Sequence, residues 1–286
     1  MKIGVMVESF RKDFRGGVDM AAKIGANGIQ AYATGGTLGV DHVTDAQLRE
    51  ELDYVKSKGL VFSAICGDFG VGFMDPEKNK IYVEKSMRVL DLAKKLECNV
   101  VTTHIGTVPV EENATKEVMR KACRTLAEYA DSIGSAFAVE TGPELGKTLG
   151  DFLDSLGAGG VRVNFDPANL VMCAGDRPEN ALKYIGKYVV HTHAKDGIKL
   201  RASYEGDVTV SPLAKKHADM VQMGRAYLEL PLGQGDVDFD VYLPALAATG
   251  FDGFLTIERE VGQNPVDDIT MAADFLREKL AKFKLG

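Results

Sequence analysis

One pattern constrains this chain more than any other: short runs rich in Val, Ile and Phe alternate with longer amphipathic segments along the whole length. Strand-like runs fall at Lys2–Val7, Gly28–Tyr32, Leu60–Cys66, Asn99–His104, Ala136–Glu140, Val161–Asp166, Tyr188–Lys195 and Gly253–Glu260. Between them, helical spacing of apolar residues predicts helices over Val18–Gly25, Asp45–Lys58, Pro76–Leu96, Ala114–Ile133, Leu145–Leu156, Pro178–Ile185 and Phe239–Ala248, with a last one over Val266–Phe283. Asp75 followed by Pro76 is an N-cap with proline at the first helical position. Eight strand–helix repeats of about 36 residues across 286 residues predict a (β/α)8 TIM barrel as a single domain, 1–286. A doubly wound sheet is the rival fold, but its first strand–helix turn carries a dinucleotide glycine pattern. Here that turn reads Glu8-Ser9-Phe10-Arg11.

The rhythm breaks once. After the seventh strand some forty residues, 196–238, precede the next helix and include Tyr204, Pro212, His217, Tyr227 and Pro231. Long loops after barrel strands lie on the C-terminal face, where the chemistry sits. This insert on the catalytic face is read as a lid or recognition element, with an oligomer contact as the alternative.

Charge and cysteine usage narrow the class. Lys and Arg number 34 against 41 Asp and Glu, a formal net charge of −7, which argues against a surface built for nucleic acid. No apolar run is long enough to cross a bilayer, and the start, MKIGVMVESF, enters a strand without a signal-peptide pattern. Cys66, Cys98, Cys123 and Cys173 are scattered and read as reduced. The expectation is a cytoplasmic protein, free of membrane and nucleic acid.

The later strands end in chemistry. The fifth ends at Glu140, the sixth at Asp166, the seventh in His191-Thr192-His193-Ala194-Lys195-Asp196, and the eighth contains Glu258. Strand parity separates two faces. Phe137, Val139, Val161, Val163, Phe165, Val190, Leu255 and Ile257 are suited to packing on helices, whereas Glu140, Asn164, Asp166, His191, His193, Thr256, Glu258 and Glu260 share the inward parity. A single acid at a strand end is as readily a helix cap or a salt-bridge partner. Three acids and a histidine crowding one mouth from four consecutive strands would repel one another without a cation, so a divalent metal is expected. Oxygen ligands with one imidazole suit Mn²⁺ foremost, with Mg²⁺, Co²⁺ or Zn²⁺ as alternatives, and no organic cofactor is expected.

With these residues, the D-P-A-N turn at 166–169, the HTHAKD run and Leu232-Gly233-Gln234-Gly235-Asp236, the sequence resembles the xylose isomerase-like TIM-barrel superfamily of sugar (phosphate) isomerases and epimerases over essentially its whole length. The resemblance implies one metal held by Glu140, Asp166, His193 and Glu258, with Glu140 and Glu258 also forming a catalytic acid/base pair. Two departures stand out. Asn169 occupies a position where some ketose 3-epimerases carry histidine, and Gln234-Gly235 replaces Gly-Glu. The chain has no Trp, so a sugar-stacking platform would fall to Phe10, Tyr32 or Phe69.

The implied reaction is isomerisation or epimerisation of a small sugar or sugar phosphate by proton transfer through an enediolate. The alternative on the same scaffold is a lyase, either inosose dehydratase-like or a keto-glycoside β-eliminase. An endonuclease IV-like phosphodiesterase is a remote alternative, since that relative uses a histidine-rich three-metal cluster and this chain has five His in all. A non-enzymatic sugar-binding subunit would follow only from an empty metal site. Candidate substrate contacts are His104, Asn169, His191, Lys195, Glu8 and Asp68, each weighed against a bland role: a satisfied buried histidine, a turn asparagine or a solvated charge. His191 is equally suited to hydrogen-bonding behind a ligand. A carbohydrate substrate and a homo-oligomer complete the expectation.

Overall fold

The computed structural model describes residues 1–203, 205 and 207–286; Tyr204 of the insert lies outside them. In chain order the strands are β1 (Lys2–Met6), β2 (Gly28–Tyr32), β3 (Val61–Cys66), β4 (Val100–Thr103), β5 (Ala136–Glu140), β6 (Val161–Phe165), β7 (Val189–Ala194), β8 (Asp196–Lys199), β9 (Tyr227–Leu230) and β10 (Phe254–Ile257). Eight of them, β1–β7 and β10, close a parallel barrel in the order β1-β10-β7-β6-β5-β4-β3-β2. The helices are α1 (Phe14–Lys23), α2 (Asp45–Ser57), α3 (Pro76–Lys95), α4 (Ala114–Ser132), α5 (Gly146–Asp154), α6 (Pro167–Asn169), α7 (Pro178–Ile185), α8 (Ala218–Gln222), α9 (Phe239–Ala248) and α10 (Pro265–Phe283). The fold is the (β/α)8 TIM barrel that the alternation predicts.

Local chemistry accounts for the helix starts. Asp75 accepts from the N–H groups of Glu77 and Lys78 with Pro76 at the first position of α3, and Thr44 with Gln47 forms a reciprocal capping box on α2. The first helix departs from the sequence expectation by starting at Phe14 rather than Val18. Gly16-Gly17 reads as a break, yet Asp13 caps the Gly16 N–H, and a Cβ at Gly17 would lie 2.8 Å from the Val7 carbonyl oxygen. Glycine there lets α1 pack directly on the turn that follows β1.

The two strand faces divide as parity demands. Phe137, Val139, Val161, Val163, Phe165, Leu255 and Ile257 are buried in the apolar layer beneath the helices, with Val190 half-buried. Inside the barrel lie Gln30, Ser63, Thr102, Asn164, His191, His193 and Thr256, all buried.

The 196–238 segment is structured. Its β8 and β9 pair antiparallel, from Asp196 opposite Leu230 to Lys199 opposite Tyr227. They enclose a small core of Ile198, Leu200 and Ala214, against which Leu213, Met220 and Leu228 pack. Among the described residues no helix is long and apolar enough to cross a membrane. All four cysteines are free.

Candidate metal centre and active site

The turn that closes β6 shows how a short motif can do two jobs. Asp166 Oδ1 accepts the N–H groups of Ala168 (2.8 Å) and Asn169 (3.0 Å), capping α6 with Pro167 at its first position. The helix-capping role weighed against a metal role is therefore real, but it occupies only one oxygen. Oδ2 is buried without a hydrogen-bond partner. Thr141, just past β5, exchanges two 2.8 Å hydrogen bonds with the Asp166 backbone and so fixes the ends of β5 and β6 against each other.

His193 complements it. Its Nε2 lies 3.1 Å from Gln30 Oε1, and Gln30 Nε2 donates to Thr102 Oγ1 at 3.0 Å, which leaves Oε1 as the acceptor. With Gln30 in this orientation the Nε2 proton points to Oε1, with Asn164 Nδ2 a further neighbour at 3.3 Å, and a cation at Nδ1 would take the lone pair that a proton otherwise occupies. Nδ1 is buried with no hydrogen-bond partner and lies 3.2 Å from Glu258 Oε2, 3.4 Å from Glu140 Oε1 and 3.7 Å from Asp166 Oδ2. One ligand atom from each of Glu140, Asp166, His193 and Glu258 lies within 4.8 Å of all the others. Two orphaned buried polar atoms aimed at one point, with three carboxylates around it, fit a divalent cation with oxygen-rich ligation.

A polar layer behind the ligands holds them. Asn164 Nδ2 donates to Glu140 Oε2 (3.2 Å), Asn169 Nδ2 donates to Glu140 Oε1 (2.9 Å), and Asn164 Oδ1 accepts from His191 Nδ1 (2.8 Å). That leaves His191 Nε2 to accept from the Thr256 hydroxyl at 2.8 Å. Burial pushes His191 well below its usual value, so it is neutral, as this chain of donors requires. His193 behaves oppositely: burial alone would lower it, but the Glu258 and Glu140 charges raise it well above the usual histidine range. Glu258, despite burial, is held far below the ordinary carboxylate range by His193 and Lys195.

A cavity of about 320 Å³ opens above this cluster, with Glu140 and Glu258 in its wall. Of the sequence candidates, Asp68, His104, Asn169 and Lys195 line it. His104 Nδ1 pairs with Asp68 Oδ2 at 2.8 Å, and its Nε2 is 3.6 Å from Glu140 Oε1; the Glu140 charge raises it to about 9. Lys195 Nζ lies 2.8 Å from Glu258 Oε2 and bonds also to Glu260 Oε2.

Two candidates sit elsewhere. His191 is buried, does not line the cavity, and hydrogen-bonds with Asn164 and Thr256 inside the barrel. Glu8 accepts the Tyr32 N–H at 3.0 Å and is likewise outside the cavity wall; it fixes the end of β2. Of the aromatic residues proposed for stacking, Tyr32 lines the cavity, whereas Phe10 is buried in the core and Phe69 packs on Tyr82. Tyr227, on β9 of the insert, joins Tyr32 in the wall.

Sequence reasoning did not assign roles to Gln30, Glu260 or Tyr227 in the site. Inward parity was the available signal for the first two; nothing local marks Tyr227.

Four side chains able to hold a metal thus converge from consecutive barrel strand ends beneath one cavity. Residues 18–279 match the family described as xylose isomerase-like TIM barrel. The chain belongs to that family. Among curated relatives, the rhizopine catabolism protein MocC of Rhizobium meliloti is 34% identical over 155 residues, which are 51% of this chain and 42% of that protein. The match thus spans less than half of the relative's length. Two solved structures share the fold. The probable 3-DHS dehydratase AsbF of Bacillus anthracis has a TM-score of 0.74 at 19% identity, with 97% of this chain and 99% of that one covered. The D-psicose 3-epimerase of Clostridium cellulolyticum H10, with D-tagatose, has a TM-score of 0.74 at 16% identity, with 98% and 99% covered.

Proposed function

We propose that this protein is a divalent-metal-dependent isomerase or epimerase of a small sugar or sugar phosphate. The observation that carries the proposal is the pair of orphaned buried atoms, Asp166 Oδ2 and His193 Nδ1, facing Glu140 and Glu258 at the floor of the cavity. Family membership supports sugar-processing chemistry, and the D-psicose 3-epimerase supports epimerisation in particular.

Glu140, Asp166, His193 and Glu258 would hold the ion, with Mn²⁺ the first choice. A divalent ion bound there would act as a Lewis acid toward an α-hydroxy carbonyl substrate and acidify the neighbouring C–H. Glu140 and Glu258, from β5 and from the end of β10, stand at different sides of the cluster and would remove and return that proton. Asn164 and Asn169 grip both oxygens of Glu140 and fix its orientation. Lys195 bonds Glu258 and keeps it ionised, and Tyr32, Tyr227 and Pro143 offer apolar surface for the carbon skeleton. The carbon to which the proton returns decides isomerisation against epimerisation.

Elimination is the second reading, favoured by the likeness to a probable dehydratase: loss of a β-hydroxyl from the same enediolate would need only an acid beside the leaving oxygen. One experiment separates these outcomes. Mn²⁺-loaded protein is incubated in D2O with ketoses, ketose phosphates, inososes and keto-glycosides, followed by NMR, with metal-stripped and Glu258→Gln controls. Metal-dependent deuterium at a carbon next to the carbonyl, with mass conserved, is the expected result. Loss of water or of an aglycone moves the assignment to a lyase, and absence of exchange from protein that holds no metal refutes the catalytic reading.

A further inference from the structure

The proposed reaction leaves open whether the substrate carries a phosphate, and the charges around the cavity bear on that directly. Asp68, Glu140, Glu258 and Glu260 line it, against Lys195 and His104; among the described residues no arginine does. Both basic groups are already engaged. Lys195 Nζ bonds to Glu258 and Glu260 and lies 3.8 Å from Asp166 Oδ2, while His104 sits between Asp68 and Glu140. Counting a divalent ion, Lys195 and a charged His104 together still gives one positive charge fewer than the five carboxylates Asp68, Glu140, Asp166, Glu258 and Glu260 supply.

The place where TIM barrels hold phosphate is equally informative. That site is built from the loops after the seventh and eighth barrel strands. Here the residues following β10 are Glu258, Arg259 and Glu260. Arg259 is buried and turned away, with Nη1 2.5 Å from Glu229 and Nε 2.8 Å from Asp268. The backbone N–H of Glu260 is also occupied: it donates to Glu229 Oε2 at 3.2 Å. After β7, Lys199 is buried and bound to Asp207 at 2.8 Å. Glu260 therefore puts a carboxylate where a phosphate-binding barrel puts donors.

We infer that the site takes an uncharged polyhydroxylated carbonyl compound, a free ketose or keto-cyclitol, and that Glu260 is the residue that excludes phosphate esters. The inference rests on the proposed metal-enzyme reading and narrows its substrate class. A phosphate dianion in the cavity would face Glu260 and Asp68 with no free basic side chain to pair with, and like charges brought together at a binding site weaken binding unless compensated. A neutral polyol instead finds acceptors in Glu260 and Asp68 for its hydroxyl hydrogens.

The test uses Mn²⁺-loaded full-length protein and reads binding rather than turnover, through paramagnetic broadening of ligand proton signals. D-fructose, D-tagatose and 2-keto-myo-inositol are compared with D-fructose 6-phosphate and D-ribulose 5-phosphate, and inorganic phosphate serves as a competitor. At least one neutral compound is expected to be broadened at a concentration about a hundredfold below that needed by any phosphate ester, with inorganic phosphate not competing. Glu260→Gln, which keeps the side chain's size, is expected to narrow that ratio at least tenfold while still binding Mn²⁺. A phosphate ester that binds as tightly as the neutral compounds, or broadening by neither class with Mn²⁺ bound, overturns the inference and leaves the metal site standing. Failure of the wild-type chain to enhance water relaxation with Mn²⁺ overturns the metal-enzyme reading, and the inference with it.

Discussion

Asp196→Asn is expected to cost about 1–2 kcal/mol of stability, although Asp196 is not one of the four clustered side chains. The carboxylate binds four backbone N–H groups. Oδ1 accepts from Gly197 (2.8 Å) and Val237 (3.1 Å), and Oδ2 accepts from Gly233 (2.9 Å) and Gly235 (2.8 Å). It therefore ties the end of β7 to the Leu232-Gly233-Gln234-Gly235-Asp236 turn and closes the base of the insert. Burial pushes this carboxyl up to about 6 against the pull of the four N–H groups, so it is charged above neutral pH. Asparagine keeps one acceptor oxygen and presents an NH2 group to the other two donors. Losing two charge-assisted hydrogen bonds at about 1.5–3 kcal/mol each is offset by about 3 kcal/mol, because burial no longer opposes a charge on a carboxyl raised from 3.8 to about 6, and this leaves about 1–2 kcal/mol. Gly235 shows how tight the arrangement is, because a Cβ there would sit 2.2 Å from Asp196 Oδ1. The assay is urea unfolding at pH 8, paired with amide exchange at Gly233, Gly235 and Val237. A midpoint shift worth less than about 0.5 kcal/mol, with the three amides still protected, would refute the reasoning, since that is the scale of an ordinary surface substitution.

Two further perturbations follow from buried polar groups. Burial raises the Glu144 carboxyl to about 7, against the Val108 N–H, and its Oε2 has no partner. Below about pH 4.5 it is protonated whether the chain is folded or not; between there and about pH 7 only the unfolded chain ionises, so stability falls across that window by about 3 kcal/mol. Urea midpoints from pH 4.5 to 8 should show Glu144→Gln gaining on the wild type by that amount, and parallel profiles would contradict the assignment. Gln30→Leu removes the acceptor that sets the His193 tautomer, so Mn²⁺ affinity measured by EPR titration should drop about 10- to 100-fold with the fold intact; unchanged affinity would show that Gln30 does not orient the imidazole.

Much of this was legible in the sequence, and for a physical reason. Barrel strands are written as short, largely apolar runs between turn residues and helices as amphipathic ones, so the boundaries of β2 and β5 and of α7 and α9 agree with the apolar pattern residue for residue. The same parity that puts Phe137 and Val139 under the helices turns Glu140 inward, which is why the cluster of Glu140, Asp166, His193 and Glu258 is legible at the strand ends. What escaped depends on contacts between segments far apart in the chain. Gln30 meets His193 across 163 residues, and Asp196 reaches Val237 over 41; neither spacing leaves a local trace. The early start of α1 was hidden because Gly16-Gly17 looks like a break until the Val7 turn is packed against it. The insert reads as a loop because its ribbon is short, and its core is supplied by Ile198 and Leu200 near its start and Ala214 near its middle. His191 and Glu8 share the mouth's sequence neighbourhood but not its surface: one lies a layer too deep, the other braces the end of β2.

A single ion at the ends of four barrel strands is what the proposed chemistry requires. Crystals grown with Mn²⁺, measured at a wavelength where manganese scatters anomalously, test it most directly. One peak within bonding distance of His193 Nδ1, Asp166 Oδ2, Glu140 and Glu258, absent from Asp166→Ala crystals, is the predicted result. No peak there at saturating Mn²⁺, or a peak held by other residues, would contradict it.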